Sequence, residues 1–135
     1  MSFLLDARLK TDCIEVSDLE LSKLLLMNNR NVPWLILVPK KEDAVEITDL
    51  SITEQHLLLD EINLITQIQN KLFNPDKINT AAIGNIVPQL HIHIIGRYKT
   101  DPVWPAPVWG NLQAEPYHQG ELQQRIQLLK HAIHI

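Results

Sequence analysis

The stretch VPQLHIHIIGR, Val87 to Arg97, places His91 and His93 one residue apart in an otherwise apolar run, with Gln89 two residues earlier. A neutral imidazole is a competent nucleophile near pH 7, because its reference pKa is about 6.5. Attack on phosphorus gives a covalent phosphoramidate and divides a difficult transfer into two easier steps. In that chemistry His91 is the best-flanked nucleophile. His93 donates a hydrogen bond to a phosphoryl oxygen or to the departing group. Gln89 holds a phosphoryl oxygen or orients the ring beside it, and carries no proton.

For these side chains to act together they must share a face. Residues i, i+2 and i+4 of a strand do so, roughly 6–7 Å apart. The alternation predicts Gln89, His91 and His93 on the open face of a sheet. Leu90, Ile92 and Ile94 then point into a core under a helix. Two other readings fit the same pattern. The row can be the solvated face of a half-exposed strand. It can also be half of a metal site, since zinc needs a third protein ligand, which His56, His118, His131 or His134 would have to supply through folding.

The rest of the chain supplies the elements. DCIEVSD (12–18) alternates as a half-buried strand does, and SKLLLM (22–27) leads into the turn NNRN, so the two read as an antiparallel hairpin. WLILVP (34–39) is a short apolar run typical of a central strand. Ser51 with Glu54 forms a capping box, and Leu58, Ile62, Ile65 and Leu72 recur at helical spacing, giving a helix over about 52–73 stopped by Asn74-Pro75. INTAAIGN and QLHIHIIGR read as two more strands, joined through Gly84 and a turn ending at Pro88. DPVWPAPVWG (101–110) lacks periodicity and must be extended or looped. Its Trp104 and Trp109 read chiefly as packing residues, with a lid over the cleft as the other reading. Arg97, at a strand end, reads as solvated. Leu122, Ile126, Leu129 and Ile133 mark a C-terminal helix over about 119–134. Together these make one α+β domain over 1–135, with a mainly antiparallel sheet of about five strands.

Composition narrows the function. The 135 residues are 45% hydrophobic and 21% charged with a net charge of −4, an ordinary globular balance. The absence of a Lys/Arg cluster argues against a nucleic-acid partner. Cys13 is the only cysteine, so no intramolecular disulfide or Cys-rich metal site forms, and a reducing cytoplasm is expected. MSFLLDARLK does not read as a signal peptide. No stretch approaches the roughly eighteen apolar residues of a membrane span. The four glycines are scattered, and no phosphate-binding glycine loop can be written.

The order of these elements resembles the histidine triad (HIT) superfamily, whose signature alternates three histidines with apolar residues. LLLMNNRNVPWLILVPKK is similar to the family's second strand, Asn-bearing turn and third strand. The capped helix, GNIVPQLHIHIIGR and the Trp/Pro-rich WPAPVWG follow in the family's order, so the likeness spans about residues 12–110. The resemblance implies a homodimeric, cofactor-free hydrolase or nucleotidyl transferase acting on dinucleoside polyphosphates or nucleoside phosphoramidates. His91 would be the nucleophile on the α-phosphorus and His93 a phosphate or leaving-group contact. Asn28 would face the ribose, while Asn79 and Asn85 would approach the phosphates. Three positions depart from the family pattern. Gln89 replaces the first triad histidine, Ile86 a hydroxyl residue, and Trp34 a further histidine. Similar galactose-1-phosphate uridylyltransferases also carry a Gln within the row, at its third position. The competing expectation is a nucleotide-binding module without turnover.

Overall fold

A computed structural model describes residues 3–134. Helix α1 (Ala7–Asp12) precedes strands β1 (Cys13–Asp18), β2 (Ser22–Met27) and β3 (Trp34–Pro39). A single 3₁₀ turn, Ile47–Asp49, leads into helix α2 (Ile52–Phe73). Strands β4 (Lys77–Ala81) and β5 (Ile92–Arg97) and helix α3 (Gln119–Ile133) complete the chain. The five strands form one sheet in the order β1-β2-β3-β5-β4, and every neighbouring pair is antiparallel. The architecture is α+β, as the sequence pattern implies.

Local chemistry sets the principal helix. Ser51 Oγ accepts from the Glu54 N–H at 3.1 Å, and Glu54 Oε1 accepts from the Ser51 N–H at 2.7 Å, so the capping box closes from both sides. The helix ends at Asn74, whose φ of 45° and ψ of 55° are left-handed, a conformation asparagine tolerates better than most residues. Between these ends Leu58, Ile65 and Ile68 face the sheet. They pack with Leu24, Leu26, Leu35, Leu37, Leu90, Ile92 and Ile94, and with Ile126 and Leu129 of α3. Each such aliphatic side chain contributes about 1.5–3 kcal/mol when fully buried. Gly96 lets α2 approach closely: a Cβ there would lie 2.8 Å from both Gln69 Oε1 and Pro33 Cγ.

The opposite sheet face is covered rather than open. Leu25, Ile36, Val38 and Ile95 pack there with Leu9, Val32, Trp34, Val87 and Val108, and with the partly buried Phe3, Leu5, Trp109 and Leu112. Helix α1 and the N-terminal segment that do this covering carry no periodicity long enough to announce them. The two strands expected before and at the histidines are shorter than the sequence suggests. β4 stops at Ala81 and β5 starts at Ile92. Between them Gly84 takes a φ of 74°, and the Leu90 N–H donates to the Ala44 carbonyl instead of to a strand neighbour. No described helix is long and apolar enough to cross a membrane.

Candidate active site

His91 and His93 are brought together, with ring centroids 4.9 Å apart and planes at 68°. They are 6% and 5% exposed, which excludes a solvated polar face. Both line a cavity of about 540 Å³ with Arg8, Asp12, Met27, Trp34, Asn85 and Trp109 among its walls. β5 positions His93 directly, because it pairs across from Ile36 on β3 and Ala81 on β4. His91 lies just before the strand begins.

Two hydrogen bonds set the two rings in opposite tautomers. His91 Nδ1 lies 2.7 Å from the Gln89 carbonyl. A carbonyl only accepts, so Nδ1 carries a proton, and in the neutral imidazole the lone pair lies on Nε2. His93 Nδ1 accepts from the Trp34 indole N–H at 3.0 Å. Indole only donates, so the His93 proton sits on Nε2. Burial pushes His93 down to about 3, and the adjacent His91 adds to the shift. With both rings neutral, the pair presents one ring lone pair and one N–H donor.

Gln89 belongs to the set through its main chain. Its side chain turns away: Oε1 accepts from the Asp6 N–H at 2.8 Å, and Nε2 donates to the Leu4 carbonyl at 2.8 Å. The expected carboxamide contact to a phosphoryl oxygen is thus replaced by a clamp on the segment leading into α1. Gln89 lies outside β5, so strand alternation does not govern its direction, and it lines neighbouring cavities instead.

The three asparagines separate. Asn85 lines the histidine cavity, next to the exposed Ile86. Asn28 Oδ1 accepts from the Tyr117 N–H at 2.9 Å, and Asn28 lines an adjoining cavity of about 370 Å³ that shares Asp12, Met27 and Trp34 with the first. The neighbouring Asn29 and Asn31 both donate to the Gln113 carbonyl, so the NNRN turn also holds the chain entering α3. Asn79 is not on the cavity wall. Its Oδ1 accepts from Arg97 Nη1 at 3.1 Å.

Arg97 departs most from expectation, since it is 1% exposed. Its Nε and Nη2 donate to the two Asp101 carboxylate oxygens at 2.8 and 3.1 Å, a bidentate geometry. Asp101 also accepts the N–H groups of Tyr98, Val103 and Trp104. Burial opposes ionisation of this carboxyl, but the Arg97 bonds and the Tyr98 and Val103 N–H donors together hold it below the usual carboxylate range. The pair anchors the start of the Trp/Pro-rich loop, and the two tryptophans then part company. Trp104 lies against Arg97, 5.8 Å from the guanidinium carbon to the ring centroid. Trp109 stands over the site, 5.0 Å from His93 and 6.1 Å from Trp34 between centroids, edge-on to both. Trp104 is a packing residue and Trp109 a cavity wall.

Neither the wall formed by α1 nor the Trp34 N–H donated to His93 is legible in the sequence, because α1 has no periodic pattern and Trp34 lies far from His93 along the chain. As for the metal reading, among the described residues no group of three or more His, Cys, Asp or Glu side chains is placed to hold an ion. His56, His118, His131 and His134 are all exposed, on or beside α2 and α3.

The model of the HIT domain matches residues 8–100. The chain belongs to the HIT domain family. The HIT fold recurs in a histidine triad protein from Bradyrhizobium japonicum, 44% identical, with 98% of this chain and 99% of that one covered at a TM-score of 0.96. A histidine triad protein from Marinobacter aquaeolei is 39% identical over 99% and 98% of the two chains, also at 0.96. A diadenosine triphosphate hydrolase from Plasmodium falciparum is 20% identical over 98% and 84%, at 0.66, and shares the fold. No curated protein matches the chain.

Proposed function

We propose that this HIT protein cleaves nucleotide phosphoanhydrides or phosphoramidates, as a hydrolase or nucleotidyl transferase, through a covalent nucleotidyl-His91 intermediate. The observation that carries the reading is the 2.7 Å contact of His91 Nδ1 with the Gln89 carbonyl, on a ring that lines the cavity. It leaves Nε2 as the free lone pair, the state a nucleophile requires at neutral pH. His93 supports the reading with an N–H at Nε2 for a phosphoryl or leaving-group oxygen. Asn85 stands on the same wall, and the adjoining cavity at Asn28 offers space for the nucleoside part. The named relative that hydrolyses diadenosine triphosphate is consistent with that substrate class. Incubation with labelled diadenosine polyphosphates and adenosine phosphoramidates tests it. Turnover is expected from the native chain, and His91→Ala should abolish it.

A second reading, nucleotide binding without turnover, draws on the Gln89 clamp, because the first position of the row points its side chain at Leu4 and Asp6. It requires nucleotide affinity in a chain that never labels at His91.

A further inference from the structure

Within the nucleotidyl-His91 reading, we infer that the site is built for leaving groups that depart as anions, so that phosphoanhydrides are its substrates and phosphoramidates are not. The inference follows from where protons can and cannot come from. His91 carries its proton on Nδ1, held by the Gln89 carbonyl. His93 accepts the Trp34 N–H at Nδ1, so it cannot take a second proton there without breaking that bond in a buried position. What it presents at Nε2 is the N–H of a neutral imidazole, which hydrogen-bonds but does not release its proton. Its depressed titration, caused by burial and by His91, agrees. Gln89 has no acidic proton, and both ends of its amide are engaged with Asp6 and Leu4. Asp12 is the one carboxyl on the walls of the histidine cavity and of the cavity at Asn28, and lies where the two meet. Glu46, on a small neighbouring cavity of about 20 Å³ that His91 also lines, accepts a backbone N–H at the cap of the 3₁₀ turn, and an ionised carboxylate only accepts.

The steps balance without an acid for an anhydride. The His91 Nε2 lone pair forms the N–P bond, the P–O bond to the distal phosphate breaks, and its electron pair leaves on that oxygen as a phosphate anion. Water then attacks phosphorus, the N–P bond breaks with its pair returning to Nε2, and the proton of the water passes to solvent. For a phosphoramidate the corresponding P–N cleavage needs a proton on the departing amine, and nothing on these walls supplies it.

Arg8 completes the arrangement. It is the one Lys or Arg on the described walls of the cavity, and no carboxylate among the described residues pairs with it. α1, which carries it, follows the segment clamped by Gln89. A guanidinium there favours negative charge developing on a departing phosphate.

The test compares diadenosine polyphosphate with adenosine 5′-phosphoramidate under identical conditions. The expected kcat/KM ratio is roughly a hundredfold or more in favour of the anhydride, the share a general acid usually supplies. Equal turnover of both, or preference for the phosphoramidate, overturns this inference while leaving the nucleotidyl-His91 reading in place. Turnover of neither removes both. Trp34→Phe keeps bulk and removes the N–H, and should lower the anhydride preference; an unaltered ratio contradicts the role given to Trp34. Nitrogen-15 spectra of the native protein need no turnover: His93 should be protonated only at Nε2 from pH 8 to 6. An imidazolium or an Nδ1–H form in that range overturns the inference.

Discussion

Gln89 holds His91 by its main chain: the Gln89 carbonyl lies 2.7 Å from His91 Nδ1, while the Gln89 side chain bonds Leu4 and Asp6. The two functions are therefore separable by mutation. Gln89→Ala keeps the carbonyl and removes the clamp. The expected loss is about 1–3 kcal/mol, two hydrogen bonds at 0.5–1.5 each, read from the urea midpoint. Hydrogen exchange at the Asp6 amide should quicken, whereas the His91 ring should keep its Nδ1–H tautomer by NMR. A change of tautomer in this variant would place the hold elsewhere.

The Arg97–Asp101 pair is a structural anchor. Both side chains are nearly inaccessible, at 2% and 1%, and removing one partner of such a pair leaves an uncompensated buried charge. Asp101→Asn is expected to cost about 3 kcal/mol or more. Near-ultraviolet circular dichroism should change with it, because the loop that Asp101 starts carries Trp104 and Trp109. Native-like stability in this variant would show that the pair is dispensable.

Stability should fall on acidification in two stages. His93 is lowered in the folded state to about 3 by burial, with His91 adding to it. Between an unfolded value of about 6.5 and that folded value, the unfolded chain binds the extra proton, so the folded state loses ground as pH falls, by at most about 1.4 kcal/mol per unit. Asp101, held below the usual range, contributes stability above its unfolded value that disappears as pH drops through its folded value. Urea midpoints from pH 7.5 to 5 should decline in the native protein and decline less in His93→Asn. Equal slopes would remove His93 as the cause.

Cys13 should be nearly inert. Burial, helped by the charge of Asp12, pushes its thiol up to about 12, and only the thiolate is the nucleophile. Alkylation by iodoacetamide at pH 8 is expected to be slower than for an exposed thiol by two orders of magnitude or more, roughly the loss of thiolate from a reference pKa near 8.5. Modification at the rate of an exposed thiol would contradict the burial.

Much of this was legible in the residues. The Ser51–Glu54 box and the Leu58–Ile65 stripe are local signals, and α2 runs as they require, Ile52–Phe73. The alternation of Ile92 and Ile94 against His93 survives because β5 is a true strand there. The alternation does not extend to Gln89, which lies before the strand, where the Ala44 carbonyl, not a strand partner, takes the Leu90 N–H. Asn79 shares the histidine face by register, yet a buried Arg97 takes its carbonyl, and nothing local marks Arg97 as buried. α1 is six residues long, too short for a periodic pattern. Its place on the cavity wall depends on contacts with Gln89, more than eighty positions away.

The most direct measurement is peptide mapping by mass spectrometry after brief incubation with diadenosine polyphosphate, quenched under conditions that preserve phosphoramidates. A nucleotidyl adduct on His91, absent from His91→Ala, is the expected result. Turnover with no adduct at His91, or with the label on another residue, would contradict the account.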